Sequence, residues 1–264
     1  MQSFDYERPD SLARAVELLD GREAKALAGG QSLLPAMKHG LAAPEALVSL
    51  RDVPEMRGIL IVRDGGLRIG AMHTHAELSV HPDVRGGIPA LADLAGAIGD
   101  PQVRNRGTLG GSVAHADPAA DYPAAVLGLN ATIDTNRRRI RADDFFTGMF
   151  STALEPGELI VSLHFPLPDA AAYAKFESPA SGYALTGVMV VRGRDGVRVA
   201  VTGAALSPFR QTDMEEALSA DFSEAALDGI VQDASGLTSD VEASAEYRAH
   251  LVGVMARRAV RACL

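Results

Sequence analysis

The stretch that most constrains this chain is residues 98–122, IGDPQVRNRGTLGGSVAHADPAADY, where glycines interleaved with Thr108 and Ser112 run into Asp117 and Asp121. A shorter echo, LAGGQSLL, occupies residues 27–34. Glycine lets a backbone approach a ligand closely and adopt positive φ. Successive backbone N–H groups in such turns form anion-binding concavities, and Ser or Thr hydroxyls add donors. Two loops of this kind in one chain suit a ligand with two linked phosphates; either one alone reads equally well as an ordinary tight turn. No Gly-Lys-Ser/Thr follows, so neither is a Walker loop, and GxGxxG is absent, so neither is a Rossmann fingerprint.

Composition narrows the classes. The 264 residues are 47% hydrophobic and 22% charged, enough for one large domain or two modest ones with real cores. A net charge of −9 argues against a nucleic-acid surface, which needs a clustered basic face. No run of about eighteen apolar residues is present to span a bilayer. The N-terminal MQSFDYERPDS has neither the basic nor the apolar region of a secretory signal, which leads to a cytoplasmic expectation. The single cysteine, Cys263, excludes an internal disulfide and any cysteine-ligated iron–sulfur or zinc site built from this chain alone. If the protein handles electrons, it does so with an organic cofactor, and any metal relay sits in a partner.

Taken in order, Asp10 is placed to cap a helix whose Leu12, Ala15, Val16 and Leu19 share a face and which Gly21 ends. A strand over 25–28 delivers the chain to Gly29-Gly30-Gln31-Ser32, and a helix over 33–38 follows. That order points backbone donors and a helix N-terminus at a ligand. A strand is expected over 46–50, and a hairpin of 58–62 with 67–71 around Arg63-Asp64-Gly65-Gly66. His73 and His75 share a strand face but lack an acidic or cysteine partner for a metal. Thr74 to Glu77 reads instead as the start of a helix with both histidines partly exposed. Ile88, Leu91, Ala95 and Ile98 follow 3–4–3 spacing, a core-facing helix stopped at Gly99-Asp100-Pro101. Arg104 and Arg106 either orient a phosphate or partner carboxylate, or decorate a surface loop. His115 and Asp117 are read as hydrogen-bonding residues that fix the loop. Asp121 suits ligand contact, since a carboxylate accepts two ribityl or ribose hydroxyls, and it suits equally a cap on a helix over 123–129.

Strands are expected over 130–135, 137–141 and 154–163, with a loop or short helix over 143–150 between them. Pro166 and Pro168 mark a boundary. Beyond it, 183–192 and 197–205 form a hairpin in which Val197, Val199 and Val201 alternate, giving a half-buried ribbon. Helices follow over 214–218, 223–231 and 243–262. In the last, Tyr247, Leu251, Val254 and Met255 form the apolar stripe, and Arg257, Arg258 and Arg261 a solvated end favoured by the helix dipole.

The pairing of AGGQSLLPAMK with IGDPQVRNRGTLGGSVAHADPAADYPA, and the length and order of the whole chain, resemble the FAD-binding (medium) subunit of the molybdenum hydroxylases, the family of carbon monoxide dehydrogenase and xanthine dehydrogenase. The resemblance implies an α+β chain: a two-subdomain FAD-binding fold of the vanillyl-alcohol-oxidase (PCMH) type over 1–55 and 56–167, then a C-terminal α+β domain of antiparallel strands and three helices over 168–264. It implies that Leu27, Ala28, Gly29, Gly30, Gln31, Ser32, Leu33 and Leu34 grip the pyrophosphate together with Gly107, Thr108, Gly110, Gly111 and Ser112. Val103, His115 and Asp117 belong to the same cofactor-binding stretch, and Asp121 meets the sugar-alcohol chain. Ile98 takes the place of an aromatic near the flavin, Ile160 lines the adenine or ring pocket, Lys175 lies near the cofactor, and Tyr183 lies against the isoalloxazine. No general base or nucleophile is expected. The implied partners are a large molybdenum–pterin subunit and a small subunit with [2Fe-2S] clusters, in a heterotrimer that pairs into a dimer. Electrons would pass through FAD to an external acceptor such as NAD, a quinone or oxygen. Relatives carry an arginine and Asp-Tyr-Ala where this chain has Glu177-Ser178-Pro179-Ala180-Ser181-Gly182-Tyr183-Ala184, which implies a looser loop. The alternatives are a self-sufficient flavin oxidase and a nucleotide-binding scaffold without redox use.

Overall fold

In the computed structural model, which describes residues 2–20, 23–62 and 65–264, three principal sheets succeed one another along the described residues, with a two-stranded ribbon inserted in the second part. The expected helix stop at Gly21 and the turn residues Arg63 and Asp64 lie outside the described residues. The first block runs β1 (Asp5–Glu7), α1 (Leu12–Leu19), β2 (Ala24–Leu27), α2 (Leu33–Lys38) and β3 (Ala46–Ser49). Its parallel sheet has the order β1-β3-β2. Central β3 is buried at every residue, Ala46, Leu47 and Val48 together with Ser49, as suits a strand covered on both faces. Helix α1 is capped by Ser11, whose Oγ accepts from Arg14 N, and not by Asp10: Ser11 is the residue in extended conformation one step before the first turn.

The second block runs β4 (Ile59–Ile61), β5 (Gly66–Gly70), α3 (His75–Val80), α4 (Pro82–Gly87), α5 (Pro89–Gly96), α6 (Pro101–Arg104), α7 (Leu109–His115), α8 (Tyr122–Gly128), β6 (Thr132–Thr135), β7 (Arg139–Arg141), α9 (Ala142–Phe145), the ribbon β8 (Phe146–Gly148) with β9 (Ser151–Thr152), and β10 (Ile160–Pro166). Its antiparallel sheet, β4-β5-β10-β6-β7, places the last strand in the middle. Helix α3 starts as expected with a full capping box, Thr74 and Glu77. His75, however, is buried rather than partly exposed. Helix α5 ends at Gly96, so Ile98 stands in the turn beyond it.

The third block runs β11 (Ala170–Glu177), β12 (Ala184–Gly193), β13 (Gly196–Thr202), β14 (Phe209–Arg210), α10 (Thr212–Ala220) and α11 (Ala245–Cys263). Its antiparallel sheet keeps sequence order. The β12/β13 hairpin is not half-buried. Val188, Val190, Val199 and Val201 face Val252, Met255, Ala256, Ala259 and Val260 of α11, while Met189, Val191 and Ala200 join the core of the preceding blocks beside α8. Arg198 tolerates burial on that face because Nε donates to Leu127 O and the guanidinium pairs with Asp143. The apolar stripe of α11 is rotated from the expected one, leaving Tyr247 43% exposed. The helix expected over 223–231 is only a 3₁₀ turn at Ala225–Leu227, with Gly229 at φ +79° breaking the path beyond it. Arg261 pairs with Glu224 and Arg257 with Asp228, so the α11 end is tied to that turn and not merely solvated.

Candidate functional site

The two glycine loops touch. A Cβ at Gly29 would fall 2.2 Å from Arg106 O and 2.7 Å from Gly107 Cα, so only glycine allows the backbones to meet. Gly30 has φ +78° and carries the chain into α2. On the other side, Thr108 Oγ1 accepts from Gly111 N at 3.1 Å and caps α7. Residues 71–75 are laced to this loop: His75 N donates to Gly107 O, Leu109 N to His73 O and Gly110 N to Ala71 O, at 2.8–3.0 Å. Thr74 also bridges Thr108. The central sheet therefore holds the second loop, and the parallel sheet presents the first to it.

Between them lies a cavity of about 780 Å³. It is lined by Leu27, Ala28, Gly29, Gly30, Gln31, Ser32, Leu33, Ile98, Val103, Gly107, Thr108, Gly110, Gly111, Ser112, His115, Asp117, Asp121, Ile160 and Tyr183. Two residues expected at the site stand behind its wall. Leu34 sits under Gly30, where a Cβ would come 2.9 Å from its Cδ1. The Lys175 ammonium is turned inward, donating to Ala97 O and Gly182 O at 3.0 Å and standing 3.4 Å from Asp121 Oδ2. It thus ties the turn that carries Ile98 to the loop that carries Tyr183. Within that loop Gly182 N donates to Ser178 O, Ser178 N to Tyr183 O, and Ser178 Oγ to Glu242 Oε1.

Asp121 is buried and makes no side-chain cap on α8; Tyr173 Oη donates to its Oδ1 at 2.6 Å. Burial raises its affinity for a proton, and the Lys175 ammonium and the Tyr173 hydroxyl oppose that rise. Asp117 Oδ1 accepts from Ala119 N and shapes its turn, and the His115 ring lies 5.0 Å from Phe150. Arg104 donates to Ile98 O and Gly99 O, a local staple for the Ile98 turn. Glu158 accepts from Arg138, Thr135 Oγ1 and Glu155 N, and the Arg138 guanidinium foremost holds its carboxyl down at about 2.

Sequence reasoning missed the apolar wall of Leu50, Met56, Met72 and Leu154, and the polar groups of His75, Glu158 and Glu177 that also line the cavity. None carries a local signal: strand pairing and helix packing across distant segments deliver them. Among the described residues no group of three His, Cys, Asp or Glu side chains is placed to hold an ion. Among them, too, no helix is long and apolar enough to cross a membrane.

The family described as "FAD binding domain in molybdopterin dehydrogenase" matches residues 2–168, and the "CO dehydrogenase flavoprotein C-terminal domain" matches 182–263. The chain is 36% identical to the carbon monoxide dehydrogenase medium chain of Hydrogenophaga pseudoflava over 98% of its own length and 96% of the relative's. It is 38% identical to the nicotine 6-hydroxylase medium subunit of Paenarthrobacter nicotinovorans over 98% and 97%. In three dimensions it matches a chain of reconstituted CO dehydrogenase from Oligotropha carboxidovorans with a TM-score of 0.91 at 35% identity, covering 99% of this chain and 98% of that one.

Proposed function

The chain belongs to the family of FAD-binding medium subunits of the molybdenum hydroxylases, and from that premise we propose that it carries electrons from iron–sulfur clusters on a partner, through bound FAD, to an external acceptor. The contact of the two glycine loops across an extended cavity is the observation that carries this reading. The donor set fits the group. Gly29 lets the backbones of the two loops close on one another, Ser32 makes no side-chain cap bond within the chain, and the cavity continues from the loops to Tyr183. FAD, when bound, supplies the redox chemistry.

The residues of this chain then have binding and positioning duties. The loops 27–34 and 107–112 hold the pyrophosphate, and Asp121 receives hydroxyls of the ribityl chain while Tyr173 and Lys175 fix its orientation. Ile98, Ile160 and Tyr183 shape the ring end. Lys175 acts from behind, by holding the Ile98 turn and the Tyr183 loop together. No residue is assigned as acid, base or nucleophile.

The proposed division is 1–55, 56–167 and 168–264, which the allotment of one principal sheet to each part supports. The proposed assembly joins a large molybdenum–pterin subunit and a small [2Fe-2S] subunit in a heterotrimer that pairs into a dimer in the cytoplasm. Relatives of nearly equal similarity are named for carbon monoxide and for nicotine, so this chain's sequence does not follow the substrate, and substrate choice is assigned to the large subunit.

The test is a visible absorption spectrum of the purified chain before and after incubation with FAD and desalting, alone and co-expressed with its neighbouring subunits. Retained flavin bands, bleached by substrate only when the partners are present, are the expected result. Failure to retain flavin in either preparation overturns the reading.

A further inference from the structure

We infer that His75 is a further cofactor-contact residue, its neutral imidazole donating from Nε2 to an anionic oxygen of the dinucleotide held between the two glycine loops; this rests on the FAD reading above. The residue is fixed where such a contact is needed. Its backbone N donates to Gly107 O at 3.0 Å, and the preceding Thr74 bridges Thr108, so the ring moves with the second loop. The side chain is buried, 4% exposed, yet belongs to the lining of the cavity. Its Nε2 edge abuts Gly107, where a Cβ would stand 2.5 Å from Nε2 and 2.9 Å from Cδ2. The opposite nitrogen is spent on nothing: Nδ1 is buried without a hydrogen-bond partner, beside a Tyr122 ring 5.2 Å away whose hydroxyl is also unpartnered.

The protonation state follows from the surroundings. Burial first, and the positive charge of Arg104 second, hold the imidazole pKa down at about 4, so the ring carries one proton at neutral pH. A buried N–H with no acceptor is the costlier of the two ways to leave a ring nitrogen unpaired. With no acceptor at Nδ1, the proton sits on Nε2, the edge beside Gly107. A neutral donor at that point adds a hydrogen bond for an anion in a cradle otherwise made of backbone N–H groups and hydroxyls. Neither glycine motif identifies this residue, because it arrives through the pairing of residues 71–75 with 107–110.

The competing role is packing alone, with the ring filling space against Tyr122. The two roles separate in the full-length chain, stripped of flavin and titrated with FAD while flavin fluorescence is followed. His75→Phe keeps the ring and removes the donor. Its FAD dissociation constant should rise about ten-fold, the scale of one hydrogen bond to a charged group, while the melting temperature of the flavin-free chain stays level or rises. His75→Gln, which restores an N–H donor, should recover most of the affinity. A His75→Phe variant binding FAD within about two-fold of the parent overturns the inference. Nitrogen-15 spectra of the unmutated chain test it without a variant: the ring should be the Nε2–H tautomer, with its Nε2 signal moving on FAD addition, and an Nδ1–H tautomer or an unmoved signal overturns it. If the unmutated chain binds no FAD, the cofactor reading itself falls, and this inference with it.

Discussion

Tyr173 Oη donates a 2.6 Å hydrogen bond to Asp121 Oδ1, joining the C-terminal sheet to the wall of the cavity. The bond runs through a slot in the neighbouring strand: a Cβ at Gly187 of β12 would lie 2.1 Å from Tyr173 Oη. Gly187→Ala therefore displaces the hydroxyl and overpacks the slot, at a cost of roughly 2–3 kcal/mol. Tyr173→Phe alone should cost about 1–2 kcal/mol, since it leaves Asp121 short of a donor. In urea unfolding the double variant should lose clearly less than the two single losses together. Strict additivity would show that the slot and the bond are independent.

Lys175 and Asp121 form a buried ion pair, with side chains 8% and 5% exposed. Removing one partner of such a pair leaves an uncompensated charge, at a cost of about 3–5 kcal/mol. Lys175→Met should therefore destabilise the chain strongly, and adding Asp121→Asn should return part of the loss. Flavin fluorescence should also rise in Lys175→Met, because the Gly182–Tyr183 backbone loses its tie to Ala97. If emission from the bound flavin equals that of the parent, Lys175 has no part in positioning the ring-end loop.

Gly111→Asp places a carboxylate in the loop proposed to hold the pyrophosphate, where a Cβ meets Thr108 Oγ1 at 2.8 Å and Ala28 Cβ at 3.3 Å. Repulsion between like charges in a partly desolvated cradle should lower flavin content at least about ten-fold. The far-ultraviolet circular dichroism should change little. The ratio of visible to ultraviolet absorbance reads the first quantity directly, and a normal flavin content would remove 107–112 from the anion site.

Glu158 supplies a pH dependence with a definite sign. Its folded pKa, about 2, lies below its ordinary value of 4.5 chiefly because Arg138 donates to the carboxylate. Its contribution to stability is complete above the ordinary value and is lost as pH falls from about 5 toward 2. Glu158→Gln should cost roughly 1–3 kcal/mol at pH 7, and the gap between variant and parent should narrow as the pH is lowered through that window. Thermal melts of both proteins at matched ionic strength give the comparison. A gap that stays constant down to pH 3 would assign the loss to packing rather than charge.

Much of the local structure is written in local residues. The strand, glycine turn and helix around Gly29-Gly30 follow from neighbouring side chains, and so do the β4/β5 hairpin and the Thr74–Glu77 capping box. Elsewhere local pattern misleads. Val197, Val199 and Val201 alternate like a strand with one wet face, yet α8 covers that face and Arg198 is satisfied there by Leu127 O and Asp143. The residues around Ala225 carry helical composition, but only a single 3₁₀ turn forms before Gly229. The apolar face of α11 turns toward β12 rather than along the Tyr247 line, because a helix orients to the largest apolar surface available to it.

By itself the sequence determined the two loops, since glycines at fixed spacing are what a backbone needs to approach an anion, and it determined the single cysteine that sends any cluster chemistry to a partner. Only the tertiary structure decided that the loops touch, with Gly29 against Arg106 O, and that Lys175 faces Asp121 from behind the wall instead of into the cavity. It alone decided that His75 is buried in that wall. The physical reason is the same each time: a loop's conformational freedom is a property of its own residues, whereas burial and the partner of a buried charge are settled by segments far away in sequence, through strand pairing and packing that no local pattern encodes.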